Sequence, residues 1–241
     1  MKVISFSLWG DKKLYTIGAI KNADLALDLY PDWICYFYCN SCVPTDIINE
    51  LKNRPNTRVI EIPEIGNTAC TLNRFLVTDD EHVEYMISRD LDSRLSMREK
   101  IAVDEWINDG SDFHLMRDHP YHGSFVMGGM HGIKTTKFKG KIKNSIKEFY
   151  TNNNLEIMCN PQQDQIFISQ FITNELINNK TTVTTHDPFF EKIKFPKECK
   201  RGKENGGVYF IGQQINLDEN YNDIYPTNSE DITLVTNGDF Y

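Results

Sequence analysis

Two aspartates, Asp90 and Asp92, stand one residue apart in Arg89-Asp90-Leu91-Asp92-Ser93-Arg94, directly after the apolar run Tyr85-Met86-Ile87. Alternate residues of an extended chain point to the same side, so both carboxylates can face one point. Like charges at the end of a buried strand are unfavourable unless a cation or a phosphate network compensates them. Hard divalent cations such as Mg²⁺ or Mn²⁺ take oxygen ligands, often one or two carboxylates completed by substrate phosphates. The plainer alternative is a pair of surface or capping aspartates, ion-paired with Arg89 and Arg94.

Other reactive side chains make weaker patterns. His114, His119, His122 and His131 match no compact zinc spacing. Cys39 and Cys42 form a C-x-x-C, but no second pair completes a metal site. The six cysteines (Cys35, Cys39, Cys42, Cys70, Cys159, Cys199) read as reduced thiols, with a redox Cys39–Cys42 pair as the alternative.

The elements that must position the aspartates alternate between strand and helix. Lys2–Leu8, Trp33–Cys39, Arg58–Ile62 and Val83–Ser88 read as strands. Between them, Leu14 to Leu27, a short segment after Pro44, and Ala69 to Leu76 carry apolar residues at helical spacing. That alternation predicts a parallel sheet with helical crossovers, whose ligands bind beyond the carboxyl ends of the strands. Asp90 and Asp92 sit at one such end, and Leu8-Trp9-Gly10-Asp11 at another.

Further along, Ser96-Met97-Arg98-Glu99 is a capping box that opens a helix, and Phe113–Met116 is a short strand. Arg117 to Gly132 reads as a loop-dominated insertion rich in His and Gly. Lys139–Tyr150 is a basic amphipathic helix, read as a solvated face or else as a contact for a membrane or an anionic glycan. Asn160-Pro161 starts another helix. Thr181–Thr185 and Gly207–Ile211 are strand-like, and the stretch from Asp218 is polar.

With 241 residues the chain can bury a substantial core. A formal charge of −8 argues against broad nucleic-acid binding, which needs clustered Lys and Arg. No run approaches the ~20 apolar residues of a membrane span, and the N-terminus reads as a strand, not a signal peptide. The expectation is a soluble, cytoplasmic protein.

Taken together, several motifs resemble a known family. Arg89-Asp90-Leu91-Asp92-Ser93-Arg94 is followed by Arg98-Glu99, Glu105-Trp106, His114-Leu115-Met116-Arg117-Asp118-His119-Pro120 and Gly128-Gly129-Met130-His131-Gly132. This series is similar to GT-A-type glycosyltransferase-like proteins, nucleotide-diphosphate-sugar transferases with a D-x-D metal site. The likeness extends to Ser7-Leu8-Trp9-Gly10, Arg74-Phe75, Asp164-Gln165 and Thr185-His186-Asp187, covering roughly residues 3 to 215. His131 departs from the pattern, where an aromatic Trp is expected.

The resemblance implies an α/β fold: a GT-A-like single domain with a Rossmann-like, mostly parallel sheet flanked by helices and a smaller mixed acceptor-side sheet. It would span residues 1–217, with 1–95 as nucleotide-binding half, 96–217 as acceptor-side half, and 218–241 as a polar tail. The implied activity transfers a sugar from a nucleotide-diphosphate sugar, with UDP the expected nucleotide, to a hydroxyl of a glycan or other acceptor. Mn²⁺ or Mg²⁺ is the implied cofactor, held by Asp90, Asp92 and His186, with Asp90 binding the ribose or sharing the ion. For His186 a turn role before Asp187-Pro188 is the alternative.

Arg74 and Arg89 suit bidentate contacts to phosphate, or else pair with Asp79, Asp80 or the aspartate pair. Ser7, Leu8 and Trp9 would flank the nucleotide, although a Trp at a strand end also serves plain packing. Gly128 and Gly129 would let the backbone approach the sugar or simply form a tight turn. His119 or His122 would line the acceptor pocket. Asp164 is the expected general base of an inverting reaction, with Asp118 in reserve; in a retaining reaction Asp164 would orient the sugar. Its position in a first helical turn is also favoured by the helix dipole alone. A catalytically inactive sugar-nucleotide-binding protein and a metal-dependent phosphohydrolase are the competing functions.

Overall fold

A computed structural model of the chain describes residues 1–153, 160–196 and 210–225. Cys159, Cys199, most of the expected strand Gly207–Ile211 and the polar stretch beyond 225 lie outside the described residues. The described part is a mixed α/β structure built on a seven-stranded sheet of order β3-β2-β1-β4-β6-β5-β7. The strands are β1 (Lys2–Leu8), β2 (Trp33–Asn40), β3 (Thr57–Ile62), β4 (Tyr85–Arg89), β5 (Phe113–Met116), β6 (Met130–Lys134) and β7 (Val183–His186). The helices are α1 (Lys13–Leu29), α2 (Thr45–Lys52), α3 (Met97–Asp109), α4 (Ile142–Asn152) and α5 (Gln163–Asn178). A two-stranded antiparallel sheet, β8 (Asn216–Leu217) with β9 (Asp223–Ile224), completes it. The boundary expected at residue 217 therefore falls inside a hairpin.

Strand parity explains why the sheet strands are apolar on both sides. Ile4 and Phe6 face a core shared with Ala19, Ala23, Ala26, Val103 and Trp106 of α1 and α3. Val3, Met86, Phe113 and Ile133 face the opposite core, built with Phe75, Phe149, Phe167 and Phe171. Trp106 anchors the first core: fully buried, it lies edge-on to Tyr85 and stacks on His114. Truncating it to Ala would cost about 3–5 kcal/mol by the usual scale of aromatic core deletions. The α3 capping box forms as its sequence predicts, with Glu99 N–H donating to Ser96 Oγ and Ser96 N–H to Glu99 Oε1.

Three elements depart from the sequence expectations. Residues 68–79 form a 3₁₀ helix, Thr68–Asp79, not an α-helix; apolar residues three apart share a face in either form. β6 emerges from the stretch read as a loop insertion and runs antiparallel to both β4 and β5. Its sequence, Met-His-Gly-Ile-Lys, has no alternation because it is covered on both faces. α5 begins at Gln163, and Asn160 caps the preceding turn by accepting from Gln162 N–H.

Reversing once at β6 restores the direction of the strands beyond it. β1, β4, β5 and β7 therefore all end on the same sheet edge, where β6 begins.

Candidate active site

A cavity of about 380 Å³ opens at that edge, over the ends of the adjacent strands β1 and β4. β1 supplies Ser7 and Leu8, and Trp9 follows; the loop after β4 supplies Asp90, Leu91 and Asp92; the loop before β6 supplies Gly128 and Gly129; α5 supplies Asp164 and Gln165. Three carboxylates, of Asp90, Asp92 and Asp164, and a single guanidinium, of Arg74, line the cavity together.

Arg74 is placed by β1. Ser5 Oγ donates to the Arg74 carbonyl at 2.6 Å, and Ser7 Oγ accepts from Arg74 N–H at 2.9 Å. These two serines fasten the 3₁₀ helix to the sheet and aim the guanidinium inward. Its NH1 donates to the Arg89 carbonyl at 3.0 Å and to Asp90 Oδ1, and its NH2 to Asp164 Oδ2. The ion pairing expected between Arg74 and the aspartate pair is therefore present and reaches a second carboxylate, on α5. Asp164 Oδ1 accepts from Gln165 N–H at 2.9 Å, so both its oxygens are engaged.

The glycines serve this network. Neither Gly128 nor Gly129 has a left-handed backbone, so a strained turn does not require them. A Cβ on Gly129 would run into the Asp90 carboxylate, and one on Gly128 would come within 2.7 Å of Asp164 Oδ2 and 3.0 Å of Arg74 NH2. What approaches these glycines closely is the carboxylate–guanidinium cluster itself. Ser88 Oγ donates to the Gly128 carbonyl at 2.7 Å and ties the loop to β4.

Asp92 carries the electrostatic strain. Burial, then the neighbouring Asp90 charge, pushes its carboxyl up to about 6, against smaller lowerings from a hydrogen bond to its own backbone and then from Arg74 and Arg94. The same pair, after burial, raises the phenol of Tyr15, which also lines the cavity. Two carboxylates whose repulsion is incompletely offset are a donor set that fits a hard divalent cation. Among the described residues no cluster of three or more His, Cys, Asp or Glu side chains is arranged around a metal position. A cation here would be held by Asp90 and Asp92, and completed by water or ligand oxygens.

Arg89, Asp118 and His186 lie outside this cavity, as do His119 and His122, the residues expected in an acceptor pocket. Arg89 sits between Ser88 and Asp90, so strand parity turns it to the opposite face, where it donates to Glu99 Oε2 at 2.8 Å in a fully buried pair. Asp118 is fully buried and clamped by Arg98, at 2.7 and 2.8 Å, and by Ile211 N–H at 3.0 Å. His186 is buried against His114, with Nδ1 at 2.8 Å from His114 Nε2, and stacks on Phe195. Sheet order is the reason: β7 lies three strands from β4, about 14 Å at the usual ~4.8 Å spacing. Asp187 instead fills the turn role, accepting from the N–H groups of Phe189, Phe190 and Glu191.

His114 and His131 are buried at a cost to their charged forms, and burial lowers His131 to about 3. Cys39 is buried in β2 with its thiol pushed up to about 12, whereas Cys42 Sγ accepts from Gly10 N–H at 3.1 Å. Both are free thiols. Sequence reasoning passed over Tyr15, Thr68, Thr71 and Gln162, which also line the cavity. Tyr15 begins a helix with no motif around it, and Thr68 and Thr71 belong to the helix whose form the spacing misjudged.

No family model matches the chain, and no curated protein matches it. Among solved structures, the glycosyltransferase GlyE of Streptococcus pneumoniae TIGR4 aligns with 78% of this chain at 16% identity and a TM-score of 0.49. TarS 1–349 of S. aureus in complex with UDP aligns with 78% at 12% identity and a TM-score of 0.46. The galactosyltransferase LgtC, in complex with donor and acceptor sugar analogs, aligns with 78% at 13% identity and a TM-score of 0.48. The matched part of this chain spans 45% of the GlyE chain, 61% of the TarS chain and 74% of the LgtC chain. Likenesses this distant assign no reaction to the chain, so any reading of its chemistry rests on the site's own residues.

Proposed function

We propose that the chain is a metal-dependent glycosyltransferase of GT-A type that takes a nucleotide-diphosphate sugar, a UDP sugar first among them, and passes the sugar to a hydroxyl acceptor. The observation that carries this reading is the cavity's charge balance. An acidic pair at the carboxyl edge of an open sheet faces one guanidinium that is already committed to two carboxylates. A diphosphate can enter such a place only with a cation.

A bound Mn²⁺ or Mg²⁺ would neutralise the diphosphate and stabilise the charge that develops on the departing nucleotide. Asp90 and Asp92 would hold it. Ser7, Leu8 and Trp9 would flank the nucleotide, with Tyr15, Thr68 and Thr71 as further walls of the same cavity. In an inverting reaction the acceptor oxygen attacks the anomeric carbon, the bond to the diphosphate oxygen breaks, and Asp164 takes the acceptor's proton. For that, Asp164 Oδ2 must exchange its Arg74 partner for the acceptor hydroxyl.

The engagement of both Asp164 oxygens favours one second reading, a sugar-nucleotide-binding protein without turnover. Titrating UDP and UDP sugars, each with and without Mn²⁺, into wild type and Asp92→Asn separates the cases. Cation-dependent binding that the variant loses, followed by acceptor-dependent release of UDP, supports the transferase. Binding without release under any acceptor supports the second reading. Release of inorganic phosphate without acceptor would point to a phosphohydrolase, and a flat panel would sink all three.

A further inference from the structure

The loop that carries the aspartate pair is gripped by a segment far along the chain. Arg94, with its side chain 2% exposed, donates from NH1 to the carbonyls of Leu91 at 3.1 Å and Ser93 at 2.9 Å. Asp223 of β9 takes two more of its donors: Nε to Oδ2 at 3.0 Å and NH2 to Oδ1 at 2.9 Å. Hydrogen bonds to Arg94 are the foremost of the influences that lower the Asp223 carboxyl, against burial. A second grip comes from the same segment, where Ile215 N–H donates to the Asp92 carbonyl at 2.7 Å. From the other side, Asn22 of α1 donates to the Ser93 carbonyl at 2.9 Å and accepts from Leu95 N–H at 3.0 Å.

Leu91 and Ser93 are buried, so their carbonyls need protein partners, and which partners they take decides what holds the loop. Here the carbonyls of Leu91, Asp92 and Ser93 are all taken by protein donors, each of them by Ile215 of the 215–225 segment or by the arginine that the segment orients. We propose that the 215–225 segment is a clasp that sets the position of the Asp90 and Asp92 carboxylates, and that Asp223 is its positioning residue, acting through Arg94. The bidentate Asp223–Arg94 pair fixes the guanidinium plane. That plane fixes the loop carbonyls, and the loop fixes the spacing of two carboxylates that repel each other. The inference rests on the proposed metal-dependent site for its functional consequence, but its structural part does not.

Lys21 provides the internal control, because it pairs with Asp223 Oδ1 at 3.0 Å and contacts none of the loop carbonyls. Full-length wild type, Asp223→Asn and Lys21→Gln are compared by amide hydrogen exchange and by Mn²⁺ titration. Exchange across residues 90–95 is expected to rise about tenfold in Asp223→Asn, with the α3 core unchanged and Lys21→Gln close to wild type. Mn²⁺ affinity should fall about tenfold in Asp223→Asn, the low end for residues acting behind the ligands themselves. Unchanged exchange at 90–95, a rise spread over the whole chain, or an equal response in Lys21→Gln would each overturn the clasp. If wild type binds no Mn²⁺ while the local exchange response appears, the clasp stands and the metal-dependent reading of the cavity falls.

Discussion

Arg74, on the 3₁₀ helix, and Arg98, on α3, each hold an aspartate that follows a strand, after β4 and after β5, yet they make opposite kinds of site. Arg98 meets Asp118 where both side chains are shut away from solvent, 2% and 0% exposed. Arg74 meets Asp90 where the guanidinium is buried but the carboxylate is 45% exposed, and its other hand holds Asp164 across the cavity. A closed pair is a structural joint: its charges are balanced by one another and by Ile211 N–H. The Arg74 cluster is acidic in excess and open on one side. The lesson is that pairing an arginine with an aspartate says nothing about function until the surplus charge and the direction of the opening are known.

The contrast is broken most forcefully at the closed pair. Asp118→Ala removes the carboxylate that accepts from Arg98 and Ile211, and breaking a buried pair in this way costs about 3–5 kcal/mol. Urea denaturation should show that loss; a change below about 1 kcal/mol would mean that the buried pair is not a joint. The open cluster should answer differently. Asp92→Asn is expected to leave the ligand-free fold at least as stable, while deleting the cation-dependent stabilisation by nucleotide. At 100 times the dissociation constant that stabilisation is about 2.7 kcal/mol, readable as a thermal shift.

Gly129→Ala tests whether the cluster needs its close approach. The added methyl group meets the Asp90 carboxylate, and overpacking of this kind costs about 1–3 kcal/mol. Mn²⁺ binding should weaken as well, since Asp90 is the group displaced. A variant with unaltered Mn²⁺ affinity would show that Asp90 is not a ligand.

The smallest effect is one of pH. Burial and Asp90 raise the Asp92 carboxyl to about 6 from its ordinary 3.8. The folded chain therefore holds that proton more tightly than the unfolded chain does. Its contribution to stability is fully present below the ordinary value and is lost as pH rises through about 6. Chemical denaturation of the cation-free protein across pH 4 to 7 should reveal this decline, and Asp92→Asn should flatten it. Saturating Mn²⁺ should reverse it, because the cation binds the ionised form. A wild-type profile indistinguishable from that of the variant would remove the argument for an uncompensated pair.

The strand–helix alternation of the first ninety residues was legible because each element there has its own period and its own stops. The edge at which ligands should bind followed from it, and so did the place of Asp90 and Asp92. β6 was not legible. Its five residues include Gly132 and His131 and are buried on both faces, leaving neither alternation nor β-branched enrichment to read. The motif residues were only partly informative. Ser7, Trp9, Arg74, Asp90, Asp92, Gly128, Gly129 and Asp164 do line one cavity, whereas Arg89, Asp118 and His186 lie outside it.

Local sequence by itself determined the strands and helices of the first ninety residues, how α3 is capped, and that two carboxylates follow the end of β4. Those follow from periods of 2 and 3.6 residues and from capping chemistry, which act over a few residues. Only the tertiary structure decided which strand ends are neighbours. Placing β1 beside β4 brings Ser7 and Arg74 to the aspartates, and inserting β6 and β5 before β7 takes His186 away. It also brought Asp223, 129 residues along the chain from Arg94, onto the loop that carries them. Strand order and long-range closure are set by how whole faces bury against one another, and no short window of sequence contains both faces.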